Sequence, residues 1–262
     1  MARIQASRVV WDSLFTLVFP ASCRVCQSAI EGFTPVPVCP ACLRAARPYA
    51  GLECAGCGLF LRGNAALQET LYCGLCLQGA FVFEQARSFG RYEGVLRSLI
   101  HHLKYDGFRP LARPLGKLLA HTVQRLDAPV FDLVLPVPLH SKRQRRRGFN
   151  QAALLAAALS AELSAETSPV SGIRVSTENC VRVRDTRPQT GLRAPERRKN
   201  VDGAFEVLRP ERVQSRHLLL VDDVITTGAT VNACAQALLD AGAGRVSVVT
   251  LARAHPEDAD VL

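Results

Sequence analysis

Eight of the ten cysteines lie between Cys23 and Cys76 and form four CxxC pairs: Cys23/Cys26, Cys39/Cys42, Cys54/Cys57 and Cys73/Cys76. Two residues between thiolates let both sulfurs reach one Zn²⁺ at about 2.3 Å, so each pair reads as a metal knuckle. Twelve residues separate Cys26 from Cys39 and fifteen separate Cys57 from Cys73, enough for a short hairpin that returns one knuckle over another. The simplest assignment is two structural zinc sites, Cys23/Cys26/Cys39/Cys42 and Cys54/Cys57/Cys73/Cys76. The spacing also admits an interleaved pairing of first knuckle with third. Four thiolates leave no position for a substrate, and in so small a module the metal should supply most of the folding free energy.

Disulfides are the competing use of paired cysteines and need an oxidising compartment. Arg3 and Arg8 precede an apolar stretch, but Asp12 interrupts it, and the nearby small residues Ala21–Cys23 already belong to the first knuckle. We therefore read residues 1–20 as an amphipathic helix on the body rather than a secretion signal, and expect a cytoplasmic chain.

The chain has 262 residues, 48% apolar and 21% charged, the balance of a folded protein of one or two domains. No apolar run reaches the roughly 18 residues of a membrane span. Aromatic residues make up 6%, which argues against a stacking platform for single-stranded nucleic acid. The net charge is +9, yet residues 142–199 hold 13 basic and 5 acidic side chains while residues 1–90 hold 7 and 5. Nearly the whole excess lies past the middle of the chain, where an anion is the expected visitor.

From about Phe81 onward apolar runs alternate with helical stretches, which predicts a mostly parallel sheet. Helices are expected over Tyr92–Lys104, Pro110–Leu126, Gly148–Leu163 and Gly228–Ala241. Strands are expected over Phe131–Leu139, Arg216–Val224 and Arg245–Ala252, with short ones near Ile173–Val175, Val181–Arg184 and Ala204–Leu208. The most informative stretch is LLLVDDVITTGAT, Leu218–Thr230. An apolar strand runs into Asp222 and Asp223, at the carboxyl end where open α/β sheets bind ligands. Thr226, Thr227, Gly228, Ala229 and Thr230 then present hydroxyls and backbone N–H groups at a helix start, a favourable place for phosphate. Carboxylates beside a phosphate cradle suit a sugar phosphate.

This stretch resembles the PRPP (5-phosphoribosyl-1-pyrophosphate) motif of type I phosphoribosyltransferases. The resemblance implies that Asp222 and Asp223 contact the ribose hydroxyls and that residues 226–230 hold the 5′-phosphate. LPVPL (Leu135–Leu139), RGFNQ (Arg147–Gln151), YEGVLRSLIHHLKYDG (Tyr92–Gly107) and the series Arg182, Gln189, Leu192, Arg197, Asn200 and Phe205 are similar to the ComF family, over essentially the entire chain. That family joins a cysteine-rich zinc module to a phosphoribosyltransferase-like domain. It implies a helix over 1–20, a double zinc ribbon over 21–80, a parallel sheet flanked by helices over 81–255, and a tail over 256–262. It places pyrophosphate at Pro136, Val137, Pro138 and Leu139, basic contacts at Arg147, and a closing loop over Arg182–Phe205 that includes Gln189, Arg197 and Asn200. A hood that selects the acceptor is expected near residues 81–130 and the ribbons.

Lys142, Arg143, Arg145, Arg146 and Arg147 follow the pyrophosphate turn and suit a polyphosphate or a nucleic-acid backbone, against the plainer reading of a solvated loop. Lys104 lies within reach of a phosphate, with a surface role equally open. Adjacent His101 and His102 are expected to point apart and so to make a poor metal site; Cys180 and Cys234 read as core. Two functions follow from the resemblance. One is Mg²⁺-dependent transfer of the phosphoribosyl group from PRPP to an acceptor in DNA uptake during natural transformation. The other is a non-catalytic accessory that binds single-stranded DNA with PRPP as regulator. Protein partners would come from the DNA-uptake machinery.

Overall fold

The computed structural model describes residues 22–30, 34–61, 71–127, 130–166, 173–186, 196 and 200–254. The expected helix over 1–20, the tail over 256–262, Gln189 and Arg197 lie outside them. Four parallel strands form the main sheet: β1 (Gln85–Arg91), β2 (Leu133–Pro136), β5 (His217–Ile225) and β6 (Arg245–Arg253), in the order β1-β6-β5-β2. An isolated bridge from Val175 to Val134 extends the pairing beyond β2. Strand β5 is apolar on both faces, as a strand covered on both sides must be. Leu219 and Val221 join a core with Leu99, Leu115, Leu155 and Val249. Leu218 and Leu220 join the opposite core with Cys234, Leu238, Val246 and Val248.

Helices α3 (Gly94–Lys104), α4 (Ala112–Val123) and α6 (Gln151–Glu166) supply the first of these cores. Gly116 of α4 meets α6 so closely that a Cβ there would stand 2.6 Å from Ala158 Cβ, so only glycine permits this approach. Helix α7 (Ala229–Asp240) contributes to the second core together with β3 (Cys180–Arg182) and β4 (Phe205–Val207). β3 and β4 pair antiparallel in a small sheet of their own, outside the parallel sheet expected of the body. Their register places Arg182 opposite Phe205, which ties the two ends of the expected closing loop together.

Two further differences have clear causes. Residues 85–91, where no strand was expected, form β1 because their buried side chains complete the sheet against β6. Lys142–Arg147, weighed as a loop, belong to helix α5 (Ser141–Arg147). The His140 ring accepts from Lys142 N–H at 3.4 Å at its start, Gly148 turns left-handed at φ 80° at its end, and the arginines of the last turn complement the helix dipole.

The cysteine modules flank the edge strand β1, one toward each core. The first carries α1 (Pro40–Ala45) and packs Cys23, Val38 and Cys42 with α3. The second carries α2 (Gly74–Leu77) and buries Cys54, Cys57 and Cys73 with Phe83 and Ala86. Tyr49 N–H donates to Phe89 C=O at 2.7 Å and Ala86 N–H to Gly56 C=O at 2.8 Å, so the modules satisfy an edge that would otherwise be open to pairing.

Candidate functional site

The two acids lie near the carboxyl end of β5, which runs on through Val224 to Ile225. Asp222 Oδ1 accepts from Asp223 N–H at 2.9 Å, and Asp223 Oδ1 accepts from Val224 N–H at 2.9 Å. These local bonds hold each carboxylate beside its own backbone. Asp223 is 3% exposed, and no uncharged donor reaches its Oδ2 among the described residues. What faces that oxygen is an ammonium: Lys104 Nζ, from the last residue of α3, lies 2.6 Å away as an ionic contact. Burial pushes the Asp222 carboxyl up to about 6, against the pull of Lys104, Arg182 and Arg147. Burial likewise pushes Lys104 down to about 8, against the pull of Asp222. Lys104 thus touches Asp223 while its field is also felt at Asp222, and desolvation outweighs attraction on both sides.

Residues 226–230 turn from β5 into α7. Gly228 sits at φ 79° as the N-cap, and Ala229 N–H reaches Thr227 Oγ1 at 3.4 Å. A Cβ on Gly228 would lie 2.8 Å from Phe81 Cε1. The neighbouring Val82 N–H donates to Asn232 Oδ1 of α7 at 2.8 Å. The segment leaving the second cysteine module therefore buttresses the turn.

Pro136 pairs with Val221, the residue before the acids, and Val137 N–H donates to Val221 C=O at 2.9 Å. The turn Pro136–Leu139 consequently lies beside the acid pair. Asn150 holds it: Nδ2 donates to Val137 C=O at 3.0 Å, while Oδ1 accepts from Ala152 N–H at 3.0 Å and caps α6. Arg147 donates to Gln151 Oε1 and stacks 5.4 Å over Tyr105. Arg182, 9% exposed, donates to Thr186 Oγ1 and lies 5.4 Å over Phe205, with its Nε unpartnered. Asn200 is half-buried at the start of the segment leading to β4. Sequence reasoning left Lys104 undecided and missed Tyr105, which stands under Arg147. The signal for both was HLKYDG at the end of an amphipathic helix.

The cysteines group sequentially, which decides between the two pairings. Cys23/Cys26/Cys39/Cys42 and Cys54/Cys57/Cys73/Cys76 each bring their four sulfurs within 4.8 Å of one another, and none of the ten cysteines is disulfide-bonded. Tetrahedral bonds of about 2.3 Å set ligand sulfurs about 3.8 Å apart. Cys26 and Cys39 Sγ are 3.7 Å apart, Cys54 and Cys76 3.5 Å, and Cys57 and Cys73 3.6 Å. Backbone N–H groups of Cys39 and Cys73 point at Cys23 and Cys54 Sγ, 3.3 and 3.2 Å away. Burial alone would raise the Cys23 and Cys54 thiols; such backbone donors bring them down to about 6 and about 7. Both clusters can hold a zinc ion. Arg253 of β6 joins the second to the sheet, donating to Cys57 C=O at 2.8 Å.

His101 and His102 do not diverge as expected: with Asp106 their ligand atoms lie within 4.8 Å. Both His102 nitrogens are engaged, Nδ1 with Asp106 at 2.5 Å and Nε2 with Arg24 C=O at 3.2 Å. Cys180 and Cys234 are core, buried 3.6 Å apart.

The parallel sheet flanked by helices is that of a phosphoribosyltransferase-like domain, and the phosphoribosyl transferase domain family matches residues 149–261. DNA utilization protein YhgH of Salmonella typhi is 35% identical over 241 residues, covering 90% of this chain and 99% of that protein. Competence protein F of Haemophilus influenzae is 34% identical over 239 residues, 88% of this chain and 90% of that protein. Competence protein ComFC of Bacillus subtilis is 25% identical over 247 residues, 94% and 90% of the respective chains. The chain belongs to the ComF family of competence and DNA-utilization proteins. Among the described residues no helix is long and apolar enough to cross a membrane.

Proposed function

We propose that the chain binds PRPP together with Mg²⁺ and acts on DNA taken up during natural transformation, its chemistry being transfer of the phosphoribosyl group to an acceptor with release of pyrophosphate. The observation that carries this reading is the buried acid pair between the Pro136–Leu139 turn and the glycine turn of residues 226–230. Asp222 and Asp223 would accept from the ribose hydroxyls, the role a carboxylate can fill for a sugar at the end of a sheet strand. Backbone N–H groups of residues 226–230 would hold the 5′-phosphate at the start of α7. The diphosphate would lie along Pro136–Leu139, with Arg147 and Arg182 near. Mg²⁺ would supply charge neutralisation on the departing pyrophosphate. The two carboxylates would stabilise positive charge developing on the ribose ring, so that catalysis is chiefly electrostatic and positional. Two zinc ions in the cysteine clusters would be structural. Calorimetric titration of the zinc-loaded chain with PRPP, with and without Mg²⁺, tests the reading. Micromolar binding lost in Asp222→Asn/Asp223→Asn is expected, and equal affinity in that variant would sink the assignment.

A second reading, a single-stranded DNA-binding accessory with PRPP as regulator, is favoured by α5. Its Arg143 and Arg147 turn inward while Lys142, Arg145 and Arg146 are exposed. DNA affinity should then fall steeply with salt, and Arg145→Gln/Arg146→Gln should reduce the log–log slope by about 1.4, roughly 0.7 per phosphate contact on a single strand. Binding indifferent to salt would count against it.

A further inference from the structure

Lys104 stands against the acid pair. The ammonium reaches Asp223 from α3, outside both the Leu218–Thr230 stretch and the Pro136–Leu139 turn, and its side chain is 14% exposed. α3 has reason to bring it there. Leu96, Leu99, Ile100 and Leu103 bury one face of the helix against the core, which fixes the direction of its last turn. His102 Nε2 meets Arg24 C=O at 3.2 Å and anchors that turn to the first cysteine module. The charge count near the acids is unbalanced: Lys104, Arg147 and Arg182 all act on Asp222, and Lys104 also touches Asp223. The surplus is positive, and Arg182, 9% exposed, has no hydrogen-bond partner for its Nε among the described residues. A buried site with surplus positive charge and an unused donor is built to receive an anion.

We propose that Lys104 is a ligand-binding residue that exchanges partners: it holds Asp223 while the site is empty and moves its ammonium to the diphosphate of PRPP when ligand enters, freeing Asp223 for a ribose hydroxyl. This rests on the PRPP reading and adds to it a cation supplied by α3. The exchange keeps both charges paired in each state, as the cost of leaving either buried and alone requires. It also makes the diphosphate the part of the ligand that opens the acid pair.

The test is calorimetry on the full zinc-loaded chain with three probes: PRPP, inorganic pyrophosphate and ribose 5-phosphate, the first two with Mg²⁺. Lys104→Gln should weaken PRPP and pyrophosphate about tenfold to hundredfold, the worth of a charge-assisted hydrogen bond, and leave ribose 5-phosphate equal or tighter. Lys104→Arg, which retains the charge, should stay within a few-fold of wild type on all three, and Lys117→Gln on the exposed face of α4 should change none. Melting curves confirm that each variant is folded; should Lys104→Gln not fold, Lys104→Met replaces it, with the charge-retaining variant as reference. Unchanged PRPP and pyrophosphate affinity in Lys104→Gln would make Lys104 a structural counter-ion and overturn the proposal. An equal loss on ribose 5-phosphate would also overturn it, because the residue would then act only by shaping the acids. A wild-type chain that binds none of the three probes overturns the PRPP reading itself, and the exchange with it.

Discussion

Asp222 and Lys104 are each held in the charge state that burial opposes, and this has a consequence for stability. A carboxyl raised to about 6 in the fold is harder to ionise there than in the unfolded chain, where it titrates near the ordinary value of about 3.9. Ionising it therefore subtracts stability as pH climbs between those two values, and the full cost is present above about 6. Asp222→Asn should accordingly melt a few degrees higher than wild type at pH 7, lose that advantage below about pH 4, and fail to bind PRPP. Melting curves from pH 4 to 8 decide it, and a variant that melts lower at pH 7 would show that attraction to Lys104, Arg147 and Arg182 outweighs desolvation. Gly228 is a second constrained position, with φ 79° and no room for a Cβ beside Phe81. Gly228→Ala should cost about 1–3 kcal/mol in denaturant titration and weaken phosphate binding, and a neutral result would mean that Phe81 yields readily.

At the scale of elements, the RGFNQ stretch serves as a joint between three parts. It ends α5 at Gly148, caps α6 through Asn150, and through the same side chain pins the turn after β2. Arg109 Nη2 donates to Gly148 C=O at 3.2 Å and its guanidinium stacks 4.9 Å over Phe149, so the segment between α3 and α4 closes over the joint. Losing the Asn150 side chain removes a cap and a turn contact together. Asn150→Ala should cost about 1–2 kcal/mol of stability, the usual worth of a cap. Pyrophosphate affinity should fall several-fold while ribose 5-phosphate changes little. Equal losses on both would show that the effect spreads through the fold rather than through the turn.

Over the whole molecule, the cysteine modules are parts of the domain rather than attachments to it. Arg87 and Arg125 meet on Glu53 Oε1, at 3.4 and 2.6 Å, and Arg125 also donates to Ser88 C=O at 3.0 Å. With Arg253 on Cys57 C=O and Val82 on Asn232, these contacts link the second cluster to β1, β6 and the start of α7. Removing zinc should therefore reach the phosphate turn. A chelator that extracts the metal should release two zinc ions per chain, lower the melting temperature, and weaken PRPP binding at least tenfold. Cys57→Ser, which disables only the second cluster, should reproduce most of the binding loss, whereas Cys26→Ser should affect stability more than binding. Equal PRPP affinity in the metal-free chain would show that the modules serve only another partner.

The sequence by itself determined what depends on neighbours along the chain. CxxC spacing defines knuckles because two residues are the reach between thiolates on one ion. A continuous apolar strand followed by Asp222, Asp223 and a Gly228 turn defines a sheet-end cradle because each role is local. Helices α3 and α4 were legible from their apolar periodicity, and α6 from its Ala- and Leu-rich composition, for the same reason. What the tertiary structure decided are pairings between distant residues. The knuckles group sequentially because the first module packs with α3 and the second against β1, one toward each core. Residues 85–91 form a strand because they complete the sheet beside β6. Lys104 belongs with Asp223, 119 positions further on, only because the apolar face of α3 docks on the core and aims its last residue at the end of β5. No local pattern encodes such a contact: its energy comes from desolvation and packing, which exist only once the chain has closed on itself.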